Sequence, residues 1–79
     1  MRLDKFLKVS RVIKRRTVAN EACDAEKVTV NGKPARASYD VKVGDIVEVN
    51  IGRTPLKFKV LKVAEVVGKD GASDLYEII

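Results

Sequence analysis

The chain predicts an α+β fold, with two short helices first and a small antiparallel sheet after them. Three observations carry that expectation. Apolar residues recur at helical spacing up to about residue 25, the period changes to two after Lys27, and Asn31-Gly32 stands between two extended segments. At 79 residues the chain is read as one small domain, 1–79, with a modest core.

The first helix is expected from about Arg2 to Val9 or Ser10. Leu3, Phe6 and Leu7 fall on one face of it, and Lys5, Lys8 and Arg11 project from the other. Phe6 belongs to the core on this reading rather than to a stacking platform. Thr17 is the expected N-cap of the second helix, its hydroxyl accepting from an unpaired N–H of the first turn. Val18, Ala19, Ala22, Cys23 and Ala25 form that helix's apolar face, and Asn20, Glu21 and Asp24 its wet one. The lone Cys23 is expected to be a small core residue, not a reactive thiol.

Beyond Lys27, "VTVNGKPAR" reads as a hairpin, because both positions of a tight Asn-Gly turn need positive φ. "DVKVGD" makes a second turn and "IVEVNI" a strand. A further turn runs through Gly52 to Pro55. "LKFKVLKVAEVV" alternates strictly and then loses the pattern near Leu61, which suggests a bend or bulge. "GKDGASD" is a polar loop and "LYEII" a closing strand.

Charge is segregated. Residues 1–16 hold seven cations against one acid, a balance of +6, while residues 17–79 hold nine against ten, a balance of −1. The excess of +5 thus comes from the first fifth of the chain and points to a polyanionic partner. The stretch "SRVIKRRT" at 10–17 alone holds four cations. With no histidine and one cysteine, most triad and metal chemistries lack their residues, so neither enzymatic activity nor a cofactor is expected. No apolar run approaches a signal sequence or a membrane span, and the expected compartment is a reducing cytoplasm. The Arg-rich N-terminus has the composition of a transit peptide too, but these residues also carry a structural motif.

That motif is spread over "RLDKFL" at 2–7, "KRRTVANEAC" at 14–23, "VTVNGK" at 28–33 and "VKVGD" at 41–45. Together, in this order and spacing, they resemble the αL RNA-binding domain first named for a small-subunit ribosomal protein. The same domain recurs in pseudouridine synthases and tyrosyl-tRNA synthetases. The likeness covers residues 1 to about 50, leaving 51–79 as a sheet extension. Among stand-alone versions it is most similar to the RqcP family of bacterial ribosome-associated quality control, and it is related to the fifteen-kilodalton heat-shock family. One departure stands out: Glu26 occupies a place where the αL domain usually has glycine. A left-handed Glu there would cost on the order of 1 kcal/mol.

The resemblance implies a positive face built from the first helix, the inter-helix turn and the start of the second helix. Those places hold Arg2, Lys5, Lys8, Arg11, Lys14, Arg15, Arg16 and Thr17, and the positive end of the second helix dipole adds to them. Lys33, just past the Asn-Gly turn, joins the set if the hairpin flanks the groove. Arginine forks suit structured RNA, which is read through shape, phosphates and 2′-hydroxyls. Arg2 and Arg16, at opposite ends of the first helix and its turn, are expected to reach different parts of one RNA stem or to bridge two RNAs. Asp4 either pairs with Lys8 or orients a nearby arginine, and the second is preferred. Lys57, Lys59 and Lys62 are read as an exposed face or a protected edge, outside the RNA contact. Tyr39 and Tyr76 sit away from the cluster.

In function, the resemblance implies a monomeric clamp on the large ribosomal subunit, touching its rRNA and peptidyl-tRNA. It would support alanine tailing of stalled nascent chains by an RqcH-like tailing factor. The rival readings are a heat-shock-type factor that recycles large subunits carrying nascent chains, and a generic RNA-binding accessory module.

Overall fold

A computed structural model describes residues 1–53, 55–64, 68 and 71–79. It contains helices α1 (Leu3–Val9) and α2 (Arg16–Asp24) and strands β1 (Val28–Val30), β2 (Lys33–Pro34), β3 (Ile46–Val49), β4 (Leu56–Val60) and β5 (Tyr76–Ile78). The five strands form one antiparallel sheet in the order β2-β1-β3-β4-β5. This is the expected α+β architecture. No helix among the described residues is long and apolar enough to cross a membrane.

The core lies between the helices and one face of the sheet. Leu3, Phe6 and Leu7 of α1 are fully buried, as the helical spacing requires. They meet Val28, Val30, Val47, Val49, Phe58 and Val60, every one an inward position of an alternating strand. Phe6 stacks on Phe58 with ring centroids 6.3 Å apart, and Tyr76 meets Phe58 edge-on at 5.2 Å. Each buried large side chain contributes roughly 1.5–3 kcal/mol, so Phe6 and Phe58 hold the two layers together. Cys23 is buried as expected; burial, then the charges of Asp4 and Asp24, push its thiol up to about 11.

Turn chemistry fixes the connections. Asn31 (φ 53°) and Gly32 (φ 86°) make the tight β1–β2 turn. Asn31 also ties that turn to the next one. Its Nδ2 donates to Asp45 (3.2 Å), while its Oδ1 accepts from the Ile46 N–H (3.0 Å). Helix α2 ends in a double-bonded cap: the Glu26 N–H donates to the Cys23 carbonyl (3.0 Å) and the Lys27 N–H to the Ala22 carbonyl (2.9 Å). Such a cap needs a left-handed residue, and Glu26 sits there at φ 63°. Arg11, also at φ 63°, follows the end of α1.

Several local expectations need correction. Helix α2 begins at Arg16 after an extended Arg15 with no side-chain cap, so Thr17 lies inside the first turn and is not the cap. The helical phase that buries Ala19, Ala22 and Cys23 leaves Thr17 exposed and Val18 41% exposed. Ala25 is exposed beyond the last turn. Strand β4 is interior, so of the two readings of its lysines the exposed face holds for Lys57 and Lys59 and the protected edge does not; Lys62, also exposed, lies past the end of the strand. Near Leu61 the pattern does break: the N–H groups of Leu61 and Lys62 converge on the Leu75 carbonyl (2.8 and 3.3 Å), two residues opposite one. In "GKDGASD" the residues from Ala72 enter a 3₁₀ turn that runs to Leu75, so the closing strand starts at Tyr76. Thr54, residues 65–67 of the expected β4 continuation, and Lys69 and Asp70 of the loop lie outside the described residues.

Candidate RNA interface

The centre of the basic surface is an acid. Asp4 is 2% exposed, and the side-by-side packing of α1 and α2 brings two arginines onto it. Arg2 donates through Nε to Oδ1 at 3.2 Å and through an Nη to Oδ2 at 3.4 Å. Arg16, fourteen positions further along the chain, places its Nε 3.4 Å from Oδ2 and donates an Nη to Oδ1 at 3.5 Å. Asn20, one turn along α2, donates to Oδ2 at 3.2 Å, and the Lys5 N–H donates to Oδ1 at 2.8 Å. Burial pushes the Asp4 carboxyl up, but the donors Asn20, Arg16, Arg2 and the Lys5 N–H outweigh it and hold it below the ordinary carboxylate value. The carboxylate therefore stays charged and orients both forks. Of the two readings of Asp4, the structure has the arginine-orienting one.

Arg2 and Arg16 remain half exposed, 51% and 46%. Each spends one side of its guanidinium on Asp4 and leaves the rest exposed. The pair carries +2 against one buried −1, and two pre-oriented forks can grip adjacent phosphate oxygens. They occupy one point of the surface. The expected separation of the two along the first helix and its turn does not hold, because α1 and α2 run side by side and bring both arginines onto Asp4.

Two shallow hollows meet at this pair. One, of about 430 Å³, is lined by Arg2, Asp4, Arg16, Thr17, Asn20 and Glu21. The other is lined by Met1, Arg2, Lys5, Arg16, Ser38 and Asp40. The structure thus brings together Arg2, Lys5, Arg16 and Thr17. Lys8, Arg11, Lys14 and Arg15 line neither of these hollows; all four are exposed, along α1 and through the inter-helix turn. Lys33 is exposed on the hairpin, at a different hollow. Helical pattern puts Asn20 on the wet face of α2, yet it is a partner of Asp4. The signal that could have found it is its i+4 spacing from Arg16, which puts both on one face of α2.

The fold and this basic face define an RNA-binding module, and comparison with known proteins agrees. The S4 domain model matches residues 1–47. The chain is 52% identical over 79 residues to the RQC P-site tRNA stabilizing factor of Streptococcus pneumoniae, covering all of this chain and 90% of that one. It is 46% identical to the factor of the same name from Bacillus subtilis, covering all of this chain and 92% of that one. In structure it is similar to heat shock protein 15 of Vibrio cholerae, described as trimeric, with a TM-score of 0.93 at 29% identity, covering all of this chain and 81% of that one. The chain belongs to the S4-domain family and, within it, to the family of RQC P-site tRNA stabilizing factors.

Proposed function

We propose that this protein is a cytoplasmic, non-catalytic RNA clamp of ribosome-associated quality control. It binds rRNA of the large subunit together with a peptidyl-tRNA and holds the tRNA in place while an RqcH-like factor extends the stalled chain with alanines. The observation that carries the reading is the pair of half-exposed arginines fixed on buried Asp4. That arrangement offers two oriented cationic forks suited to phosphate oxygens. The tRNA part of the reading rests on relatives whose name is P-site tRNA stabilizing factor, at 52% and 46% identity over the full chain.

A recycling role of the heat-shock type is the second reading, favoured by the TM-score of 0.93. Identity of 29% to that protein against 52% to a quality-control factor ranks it second.

The test is a sucrose-gradient profile of the tagged protein, with the RNAs and proteins of each fraction identified. Co-sedimentation with large subunits carrying peptidyl-tRNA is expected. Migration as free protein at low salt would contradict the proposal. Loss of subunit binding in a variant that keeps alanine tailing of a stalled reporter would leave only the recycling role.

A further inference from the structure

Because Arg2 and Arg16 share one point, a clamp that holds one RNA against another needs a second contact, and the hairpin side of the molecule offers it. An open hollow of about 620 Å³ there is lined by Lys33, Arg36, Ser38 and Tyr39, with Asn31 and Ala35 among its other walls; Asp45, which bonds Tyr39 and Asn31, is buried, and no acid stands among the described lining residues. It differs in this from the Arg2–Arg16 hollow, whose lining includes Asp4 and Glu21.

The segment that carries Arg36 and Ser38 is fixed. The Leu3 N–H donates to the Tyr39 carbonyl (2.8 Å) and the Asp4 N–H to the Ala37 carbonyl (3.2 Å), so residues 37–39 cap the first turn of α1. The Tyr39 N–H closes a turn onto the Arg36 carbonyl at 3.0 Å. Ala37 is buried, at 3% exposure, which leaves Arg36 and Ser38 on either side of it exposed. Tyr39 gives its hydroxyl to Asp45 (3.0 Å), which pins the ring in a half-buried position. Ser38 also lines the hollow shared by Arg2, Lys5 and Arg16, so the two cationic surfaces abut at that residue.

We propose that Lys33, Arg36 and Ser38 form a second RNA subsite, distinct from the Arg2–Arg16 forks, that takes the sugar–phosphate backbone of an RNA strand. Lys33 and Arg36 face phosphate oxygens, and the Ser38 hydroxyl is suited to a phosphate oxygen or a 2′-hydroxyl. An RNA strand fits better than an acidic peptide because the hollow runs into a surface that already presents forks for phosphate. The inference rests on the RNA-clamp reading and adds a second point of contact to it.

The test is the salt dependence of binding of the full chain to large subunits carrying peptidyl-tRNA. A Lys33→Ala/Arg36→Ala variant is compared with wild type and with Lys57→Ala/Lys59→Ala, which removes the same charge from the sheet. Loss of two phosphate contacts lowers the slope of log K against log salt by roughly 1.4–1.8. The sheet variant is expected to keep the wild-type slope, and matching circular dichroism checks folding. A wild-type slope for Lys33→Ala/Arg36→Ala, or an equal fall in both variants, overturns the subsite. The same comparison on protein-free large-subunit rRNA with tRNA separates the other source of negative charge. A fall seen on subunits but not on protein-free RNA assigns the hollow to an acidic protein segment and overturns the proposal. If wild type binds neither probe, the clamp reading falls as well; if it binds and only the variant result fails, the subsite alone falls.

Discussion

Two faces of this protein carry cations, and they treat them differently. On the outer face of the sheet, Lys57 stands directly opposite Glu48 and Lys59 directly opposite Glu77. Each lysine there has its own acid across the strand pair, which neutralises the face locally. On the helical face, two arginines share the single carboxylate of Asp4, and that carboxylate is buried. The acid there fixes the cations in place without cancelling them. The two faces therefore differ in the ratio and depth of their acids more than in the number of their cations.

The sharpest way to break this contrast is to remove the buried acid. Asp4→Asn keeps the shape but takes the charge that holds Arg2 and Arg16, and it leaves an amide where four donors converge. A loss of about 1–3 kcal/mol is expected in urea denaturation, with weaker RNA binding. The sign in pH follows from the lowered carboxyl. Its contribution is fully present above the unfolded-state value of an aspartate and is lost as pH falls through the folded value. The acid limb of the wild-type stability curve should accordingly be shallower in Asp4→Asn. An unchanged limb would mean that Asp4 does not anchor the pair.

A smaller effect tests fork geometry against bare charge. Arg2→Lys and Arg16→Lys keep the +2 but cannot donate two parallel bonds, so each is expected to recover only part of the binding lost in the alanine variant. Full recovery would reduce the helical face to a generic cationic patch.

The smallest expected effect lies outside both faces. Glu26→Gly relieves a left-handed side chain at the end of α2 and should stabilise the protein by about 0.5–1 kcal/mol without altering the salt slope. A destabilised Glu26→Gly would show that the Glu side chain contributes more than its backbone strain costs.

How much of this was legible in the sequence depended on the range of the interaction. The Asn31-Gly32 turn, the α1 core residues and the strand alternation are local, and they stand as read. The left-handed Glu26 was legible as a departure from a glycine position. The convergence of Arg2, Arg16 and Asn20 on Asp4 spans up to sixteen residues and depends on how two helices pack, which no periodicity encodes. The place of Arg36 and Ser38 depends on the same long-range packing, since "KPAR" reads as the second arm of the hairpin and nothing local shows the Ala37 and Tyr39 carbonyls capping α1. Thr17 misled because a good capping residue sat one position inside a helix whose start is set by burial of Ala19, Ala22 and Cys23.

The central claim is that two cations on the helical face do what two on the sheet do not, and charge-matched variants test it most directly. Arg2→Ala/Arg16→Ala and Lys57→Ala/Lys59→Ala each remove +2. Truncating both arginines also strips Asp4 of partners, so thermal melts must accompany the binding data and measurements are made well below both midpoints. The salt slope of binding to large subunits carrying peptidyl-tRNA should fall by roughly 1.4–1.8 in the arginine variant and stay at the wild-type value in the lysine variant. Equal slopes in the two variants would contradict the account.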